Sequence, residues 1–288
     1  MDWSLLILAA GISQRLGENK ISIPIGPAGE WLMEFTIYDA LLAGCRNVVL
    51  VTRADTEALV QKRLAQLPST VTCSTVVQSI RTGRSKPCGT AEAVVAAASK
   101  VQGPFLVVNG DDYYGRQTLW LLIKWLVENI RPGLGALPVF SLANANIGRR
   151  PVWRALCRLD DSCQLVDLKE TLVVYEENKY VTLKPQQGEV LPSSTWVSMN
   201  SFALPADIIP LLSALMHQFY MNEDPDAELT LAQALMQLIS TKQVCLEALP
   251  SNNRCIGLTY PEDVLQVRSY FEELIAKGLF PSPLWFRS

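Results

Sequence analysis

The chain opens with an apolar run, Leu5-Leu6-Ile7-Leu8, which passes through Ala9, Ala10 and Gly11 into a polar loop carrying Ser13, Arg15, Gly17 and Lys20. Four consecutive apolar residues without polar alternation predict a strand buried on both faces, as in a parallel sheet. Helical spacing follows from Trp31 to Ala43, with Leu32, Phe35, Tyr38, Leu41 and Leu42 recurring and Gly44 placed to end the helix. Asn47 to Thr52 predicts a second buried strand, followed by a helix with Leu59, Val60, Leu64 and Leu67 inward. Val71 to Val77 predicts a third strand ending at Gln78, and Phe105 to Val108 a fourth. Helices are predicted over Ala91 to Ala98 and Gln117 to Glu128. This alternation predicts an α/β fold with a doubly wound, mostly parallel (mixed) Rossmann-like sheet and helices on both faces.

Beyond a strand at Leu134 to Phe140 the rhythm changes. The segment from Asn144 to Pro151 is polar and basic, and Arg154 to Leu159 with Leu165 to Tyr175 predicts a hairpin closed at Asp160-Asp161-Ser162. Trp196 to Phe202 alternates like one strand returning to the core. Helices are predicted over Ala206 to Tyr220 and Glu228 to Ser240, separated by an acidic turn, Asn222 to Asp226, that reads as a solvated loop. A late strand (Gln243 to Leu249) and a last helix after Tyr260-Pro261 complete the pattern. The tail, Leu279 to Phe286, is too apolar to float freely, so it packs on the domain or on a second subunit.

With 49% apolar and 18% charged residues among 288, the chain can bury a large core, and disorder is excluded. A formal net charge of −3 argues against nucleic-acid or anionic-membrane partners. No apolar run approaches the roughly 20 residues of a membrane span, and an acid at position 2 argues against a signal peptide. The seven scattered cysteines contain no Cys-x-x-Cys, so reduced thiols and a cytoplasmic location are expected. His217 is the one histidine, which weighs against Ser-His-Asp, Cys-His and multi-histidine metal chemistry.

The chemistry concentrates after the strands. Glycine tolerates positive φ, so an amide in the Gly11 loop can turn toward an anion, and Arg15 and Lys20 add positive charge. The stretch reads as a phosphate cradle at the carboxyl end of the first strand. It is neither Gly-x-Gly-x-x-Gly nor a Walker loop. A second basic segment carries Arg81, Arg84 and Lys86 beside Gly83 and Gly89, and Gly89-Thr90 opens a helix whose amides can receive an anion or a base edge. The fourth strand runs into Asn109-Gly110-Asp111-Asp112. One acid would serve as a turn capping the next helix. Two adjacent acids beside Arg and Lys are expected Mg²⁺ ligands, since that ion takes one or two carboxylates plus substrate phosphates.

Taken together, Ala9-Ala10-Gly11, Ser13, Arg15 and Gly17, the run Lys86-Pro87-Cys88-Gly89-Thr90-Ala91, and Gly110-Asp111 resemble nucleotidyltransferases of the sugar-nucleotide pyrophosphorylase type. The resemblance implies an enzyme that moves a nucleoside monophosphate from an NTP to a sugar 1-phosphate or similar phosphate acceptor, releasing pyrophosphate. No linker separates two independent domains, so one domain is expected over 1–288, with a nucleotide-binding half at 1–140 and acceptor-side strands and C-terminal helices at 141–288. Ala9, Ala10, Gly11, Ile12 and Ser13 would bind the triphosphate, with Arg15 on the β- and γ-phosphates. Lys20 would neutralise the α-phosphate or the incoming phosphate, and Asp111 rather than Asp112 would hold Mg²⁺. Gln78, Gly89 and Thr90 would meet the base. Lys169-Glu170-Thr171 is the counterpart of an acid–base pair on the acceptor, though a solvated strand face would look the same; Glu170 and Asn200 are the acceptor candidates.

The chain departs from the family at Gly257-Leu258-Thr259, where relatives often carry an acid that is a second metal ligand. It also presents Lys20 after Asn19 where relatives have proline. The partners implied are an NTP and a phosphorylated small molecule, with a homo-oligomer hinted at by the tail. The same loop occurs in enzymes that transfer CMP to phosphocholine or another alcohol phosphate and in molybdopterin guanylyltransferases, and these are competing readings, as is a non-catalytic regulatory relative that binds nucleotide or sugar phosphate.

Overall fold

A computed structural model of the chain describes residues 2–11, 20–145, 147, 149–221 and 224–285. The expectations placed on Ile12, Ser13, Arg15 and Gly17 lie outside the described residues. Strand β1 (Ser4–Leu8) is buried along its whole length, as an unbroken apolar run requires. Next come α1 (Leu32–Leu42), β2 (Asn47–Thr52), α2 (Glu57–Leu64), β3 (Thr72–Val77), α3 (Thr90–Ala96) and β4 (Phe105–Asn109). β1 lies parallel to both β2 and β4, and β2 parallel to β3. The spatial order β3-β2-β1-β4 reverses its winding between β1 and β4, which opens a crevice at their carboxyl ends.

The second half supplies β5 (Asp112–Tyr113), α4 (Arg116–Asn129), β6 (Leu134–Ser141), β7 (Val152–Leu159), β8 (Leu165–Glu176), β9 (Lys179–Lys184) and β10 (Val190–Leu191). It continues with β11 (Trp196–Ser198), β12 (Phe202–Leu204), α5 (Ile208–Phe219), α6 (Leu231–Ser240), β13 (Cys245–Ser251), β14 (Ile256–Gly257) and α7 (Asp263–Ala276). β12 lies antiparallel on β4 and joins the parallel strands to β6, from which β11, β7, β8, β9 and β10 extend the same sheet to 12 strands with β13 included. β14 pairs separately with β5.

Two departures from the sequence pattern have local causes. Trp196 to Phe202 is two short strands, because Asn200 adopts φ 58° and turns the chain between them. Asparagine is among the few residues that accept that left-handed conformation. Helix α6 begins at Leu231 rather than Glu228, since the Leu229 amide pairs with the Cys88 carbonyl at 2.8 Å and Thr230 caps the helix by accepting from Gln233 N at 3.1 Å. Strands β9 and β10, which the sequence pattern does not mark, extend the sheet beyond the β7–β8 hairpin.

The tail packs on this chain. Phe280 and Leu284 are buried with Phe35 of α1 and Phe271 of α7, whose rings stack at 3.8 Å. Glu30 and Glu34, both buried, anchor it: Glu30 accepts from Leu284 N at 3.0 Å and Glu34 from Trp285 Nε1 at 2.7 Å.

Candidate active site

Small residues let the ends of β1 and β4 converge. Gly110 N donates to Leu8 O at 2.9 Å, and a Cβ at position 110 would lie 3.2 Å from Ala9 Cβ. Ala9 and Ala10 are buried, whereas Gly11 is exposed, with nothing among the described residues crowding it. The chain is next described at Lys20, whose ammonium forms an ion pair with Asp111 Oδ2. Two residues 91 positions apart, each singled out from the sequence, thus face each other across the crevice.

Asp112 points to the other side of the turn. Its Oδ2 accepts from Asn109 Nδ2 at 2.9 Å, and Asn109 Oδ1 accepts from Asn200 Nδ2 at 2.8 Å. The positive φ of Asn200 aims that amide back at the end of β4. Burial, then the Asp111 charge, raises the Asp112 pKa, opposed by the Asn109 hydrogen bond and the charges of Arg154 and Lys20. Gly257 lies opposite Asp112 in the β5–β14 pair, and a Cβ there would run into Asp112 Oδ1. The missing acid at 257 therefore has a steric counterpart: the Asp112 carboxylate fills the space a side chain would need.

Beside Asp112 opens a cavity of about 110 Å³ whose polar lining includes Asn109, Arg154, Glu170, Ser198 and Asn200. Ala155 pairs with Glu170 in the β7–β8 ladder, so Glu170 turns into this cavity while its neighbour Lys169 is exposed on the opposite face. Burial raises the Glu170 pKa and the Arg154 charge counters it. Sequence reading overlooked Arg154 and Asn109. The Arg154 guanidinium donates to Ala145 O, from Nη2 at 3.0 Å, which fixes its direction beside the two carboxylates. No motif marks it; only the strand register brings it there.

On the far side of the crevice Gln78 follows β3 and is 7% exposed. Its Nε2 donates to Gly89 O and to Glu92 Oε2, each at 2.9 Å. Gly89 has φ 104°, and a Cβ there would collide with the Leu229 carbonyl, so glycine is required. Thr90 Oγ1 accepts from Leu231 N at 2.7 Å, and Ala91 N donates to Leu229 O at 3.2 Å, so the chain itself uses part of the helix start. The basic loop is also engaged. Arg84 donates to the carbonyls of Ala227 and Asp224, Lys86 pairs with Glu228 at 2.7 Å, and Arg81 lies 3.6 Å over the Tyr220 ring. The acidic turn is therefore a tether for that loop. His217 sits in α5 with its ring 6.4 Å from that of Tyr220.

Residues 5–128 match the family model described as a MobA-like NTP transferase domain. This stretch, less than half of the chain, is similar to that family of nucleotidyltransferases. The match covers β1 to α4, which holds Gly11, Lys20, Gln78, Gly89 and Asp111. Among solved structures, the inositol-1-phosphate CTP transferase from T. maritima is similar with a TM-score of 0.66 at 15% identity, over 94% of this chain and 97% of that one. HddC from Yersinia pseudotuberculosis, complexed with GMP-PN, is similar with a TM-score of 0.59 at 14% identity, over 93% and 99%. At such identities these likenesses establish the α/β fold of the nucleotidyltransferase domain and its C-terminal half. No curated protein sequence matches the chain.

Among the described residues no cluster of three or more His, Cys, Asp or Glu side chains could hold a metal by itself. Asp111 alone fits Mg²⁺ differently, as one hard oxygen donor that leaves the other positions to phosphate and water, since the Asp112 oxygens are turned to Asn109 and Gly257. Asp111 already faces a cation, the Lys20 ammonium, so positive charge belongs at that oxygen. No described helix is long and apolar enough to cross a membrane.

Proposed function

We propose that this nucleotidyltransferase domain transfers a nucleoside monophosphate from an NTP to a sugar 1-phosphate or similar phosphate acceptor, with release of pyrophosphate. The observation that carries the reading is the Lys20–Asp111 pair at the β1–β4 crevice, next to the polar cavity of Asp112, Arg154, Glu170 and Asn200. A triphosphate in the Gly11 loop would then meet an acceptor in that cavity at its α-phosphorus.

The acceptor phosphate is already ionised, so the reaction asks for alignment and charge compensation more than for a base. Arg15 binds the β- and γ-phosphates in this reading, assisted by amides from Ala10 to Ser13. Lys20 leaves Asp111 as the triphosphate enters and neutralises the α-phosphate or the attacking phosphate. Asp111 would hold Mg²⁺, which when bound polarises the reacting phosphorus and offsets charge on the leaving pyrophosphate. Glu170 and Asn200 orient acceptor hydroxyls, and Gln78 reads the base. The similarity to an inositol-1-phosphate CTP transferase supports a phosphorylated polyol or sugar as acceptor, and that to HddC with GMP-PN supports a nucleotide in the cleft. A cytoplasmic setting suits these metabolites.

The test is pyrophosphate release by the purified protein with Mg²⁺, each common NTP being paired with pooled sugar 1-phosphates, inositol 1-phosphate and phosphocholine. Release that requires one NTP and one acceptor together supports the proposal and names both substrates. NTP-dependent stabilisation without release in any pairing would support the binding-only relative.

A further inference from the structure

One wall of the cavity beside Asp112 is used by neither the motifs nor the polar network. Trp153, near the start of β7, lines that cavity and is 49% exposed. Single exposed apolar residues are common on protein surfaces and by themselves carry no message. Trp120 is such a case: it is exposed, yet its indole donates to Asp39 O at 3.1 Å and the Arg116 guanidinium lies over its ring. Trp153 differs. Among the described residues its indole N–H has no acceptor and its ring no aromatic or cationic partner. An unpartnered indole on the wall of a polar cavity is the usual make-up of a small-molecule site, where aromatic surface holds the ligand and a few polar groups orient it.

The strand register decides what faces that indole. Trp153 pairs with Leu172 and Ala155 with Glu170, while Ser198 of β11 lies opposite Ala155. Directly opposed residues share a face of the sheet, as do alternate residues of one strand. Trp153, Ala155, Glu170 and Ser198 therefore stand on one face, with Glu170 diagonal to Trp153. Diagonal neighbours lie about 7–8 Å apart. The floor between them is the buried methyl of Ala155. The result is a slot with an indole on one side, a carboxylate on the other and little between. Asn109 and Asn200 add their amides to the same cavity.

Such a slot sorts phosphorylated acceptors by shape and by hydrogen bonding. A six-membered hydroxylated ring gathers C–H groups on a face that can lie on an indole, and its hydroxyls project from the rim toward carboxylate and amides. An open-chain polyol has the hydroxyls without the face. A quaternary ammonium would also lie on an indole. It has nothing to exchange with Asn109, Asn200 and Ser198, however, and the Arg154 charge already acts on Glu170.

Resting on the reading that this cavity takes the acceptor, we propose that Trp153 is its specificity-determining wall, on which a six-membered ring stacks. The acceptor is then the phosphate of a cyclic sugar or a cyclitol, not of an open-chain alcohol or of choline.

The experiment is calorimetric titration of the full chain in Mg²⁺. The α,β-methylene analogues of CTP, GTP, ATP, UTP and dTTP are supplied in turn, which fill the nucleotide site without transfer. Glucose 1-phosphate, mannose 1-phosphate and inositol 1-phosphate are the cyclic probes, separating sugar from cyclitol, and glycerol 3-phosphate and phosphocholine are the acyclic ones. Wild type, Trp153→Phe and Trp153→Ala are compared. In wild type at least one cyclic phosphate binds about tenfold tighter than both acyclic ones. Trp153→Ala lowers that affinity by about tenfold, the size of one lost stacking contact, and leaves the acyclic phosphates unchanged. Trp153→Phe keeps most of the gap, because a flat face remains. An acyclic phosphate binding as tightly as the best cyclic one in wild type would overturn the proposal, and so would a gap that survives in Trp153→Ala. Equal losses in the two variants would overturn stacking in favour of a contact through the indole N–H. Analogues that bind while every acceptor fails would overturn the acceptor reading of the cavity, and failure of the analogues as well would overturn the nucleotidyltransferase reading beneath it. A merely structural Trp153 would shift all the affinities or the melting temperature together and leave the gap intact, which also overturns the proposal.

Discussion

Asp111 shows how little a single carboxylate reveals until its neighbours are known. Its Oδ2 is engaged by Lys20, a strongly hydrated point charge that a metal or phosphate can displace. Asp111→Asn removes the charge and keeps the shape. Turnover is expected to fall about 10²- to 10³-fold, as when a charge-stabilising group is lost, with unfolding by urea little changed. Glu170→Gln is expected to act differently. It is expected to raise the KM for the acceptor more than it lowers kcat, because in the proposed reaction Glu170 would meet the acceptor rather than the reacting phosphorus. Steady-state kinetics with varied acceptor separates the two. Gly257 makes a third case, since any side chain there must push the Asp112 carboxylate off Asn109. Gly257→Ala should therefore cost about 1–3 kcal/mol by overpacking, read by denaturant titration, and reduce turnover as well.

Elements, once formed, are held in place by partners distant in the chain. Helix α3 has only seven residues and no side-chain cap, yet it is fixed at the crevice by Leu229 and Leu231 from the start of α6. The tail is held likewise: Phe280 fills a pocket of Phe35, Tyr113 and Phe271, while Glu30 and Glu34 receive the Leu284 amide and the Trp285 indole. Phe280→Ala is expected to lower stability by about 3–5 kcal/mol, the usual cost of emptying a buried phenylalanine site. Because Tyr113 adjoins Asp112, the same variant should also weaken the β5–β14 pair, detectable as faster hydrogen exchange there.

At the scale of the molecule, burial of charge makes stability depend on pH. Asp39 lies in the core between Arg116 and Tyr113, and burial raises its pKa from 3.8 to about 6 despite both partners. The folded protein therefore keeps a proton that the unfolded chain has released. This contribution is most favourable below about pH 4, is lost as pH rises through 4 to 6, and is constant above. At about 1.4 kcal/mol per pKa unit, the change amounts to roughly 3 kcal/mol. Urea titrations across that range should show wild type losing about that much relative to Asp39→Asn. A difference independent of pH would contradict the assignment.

How much was legible beforehand depends on whether the information is local. Leu5 to Leu8 determined a doubly buried strand, because only a sandwiched strand tolerates an unrelieved apolar run, and strand–helix alternation determined the parallel half of the sheet. The motif residues marked Lys20, Gln78 and Asp111 as chemistry, since charge or amide groups beside strand ends and glycines have few structural uses. What no local pattern contains is a relation between distant residues. The meeting of Lys20 with Asp111, the entry of Arg154 and Glu170 into one cavity through the β7–β8 register, and the turn at Asn200 were decided by tertiary structure. So was the locking of Gln78 by Glu92, because a hydrogen bond's direction depends on what stands opposite, and folding alone brings that partner into place.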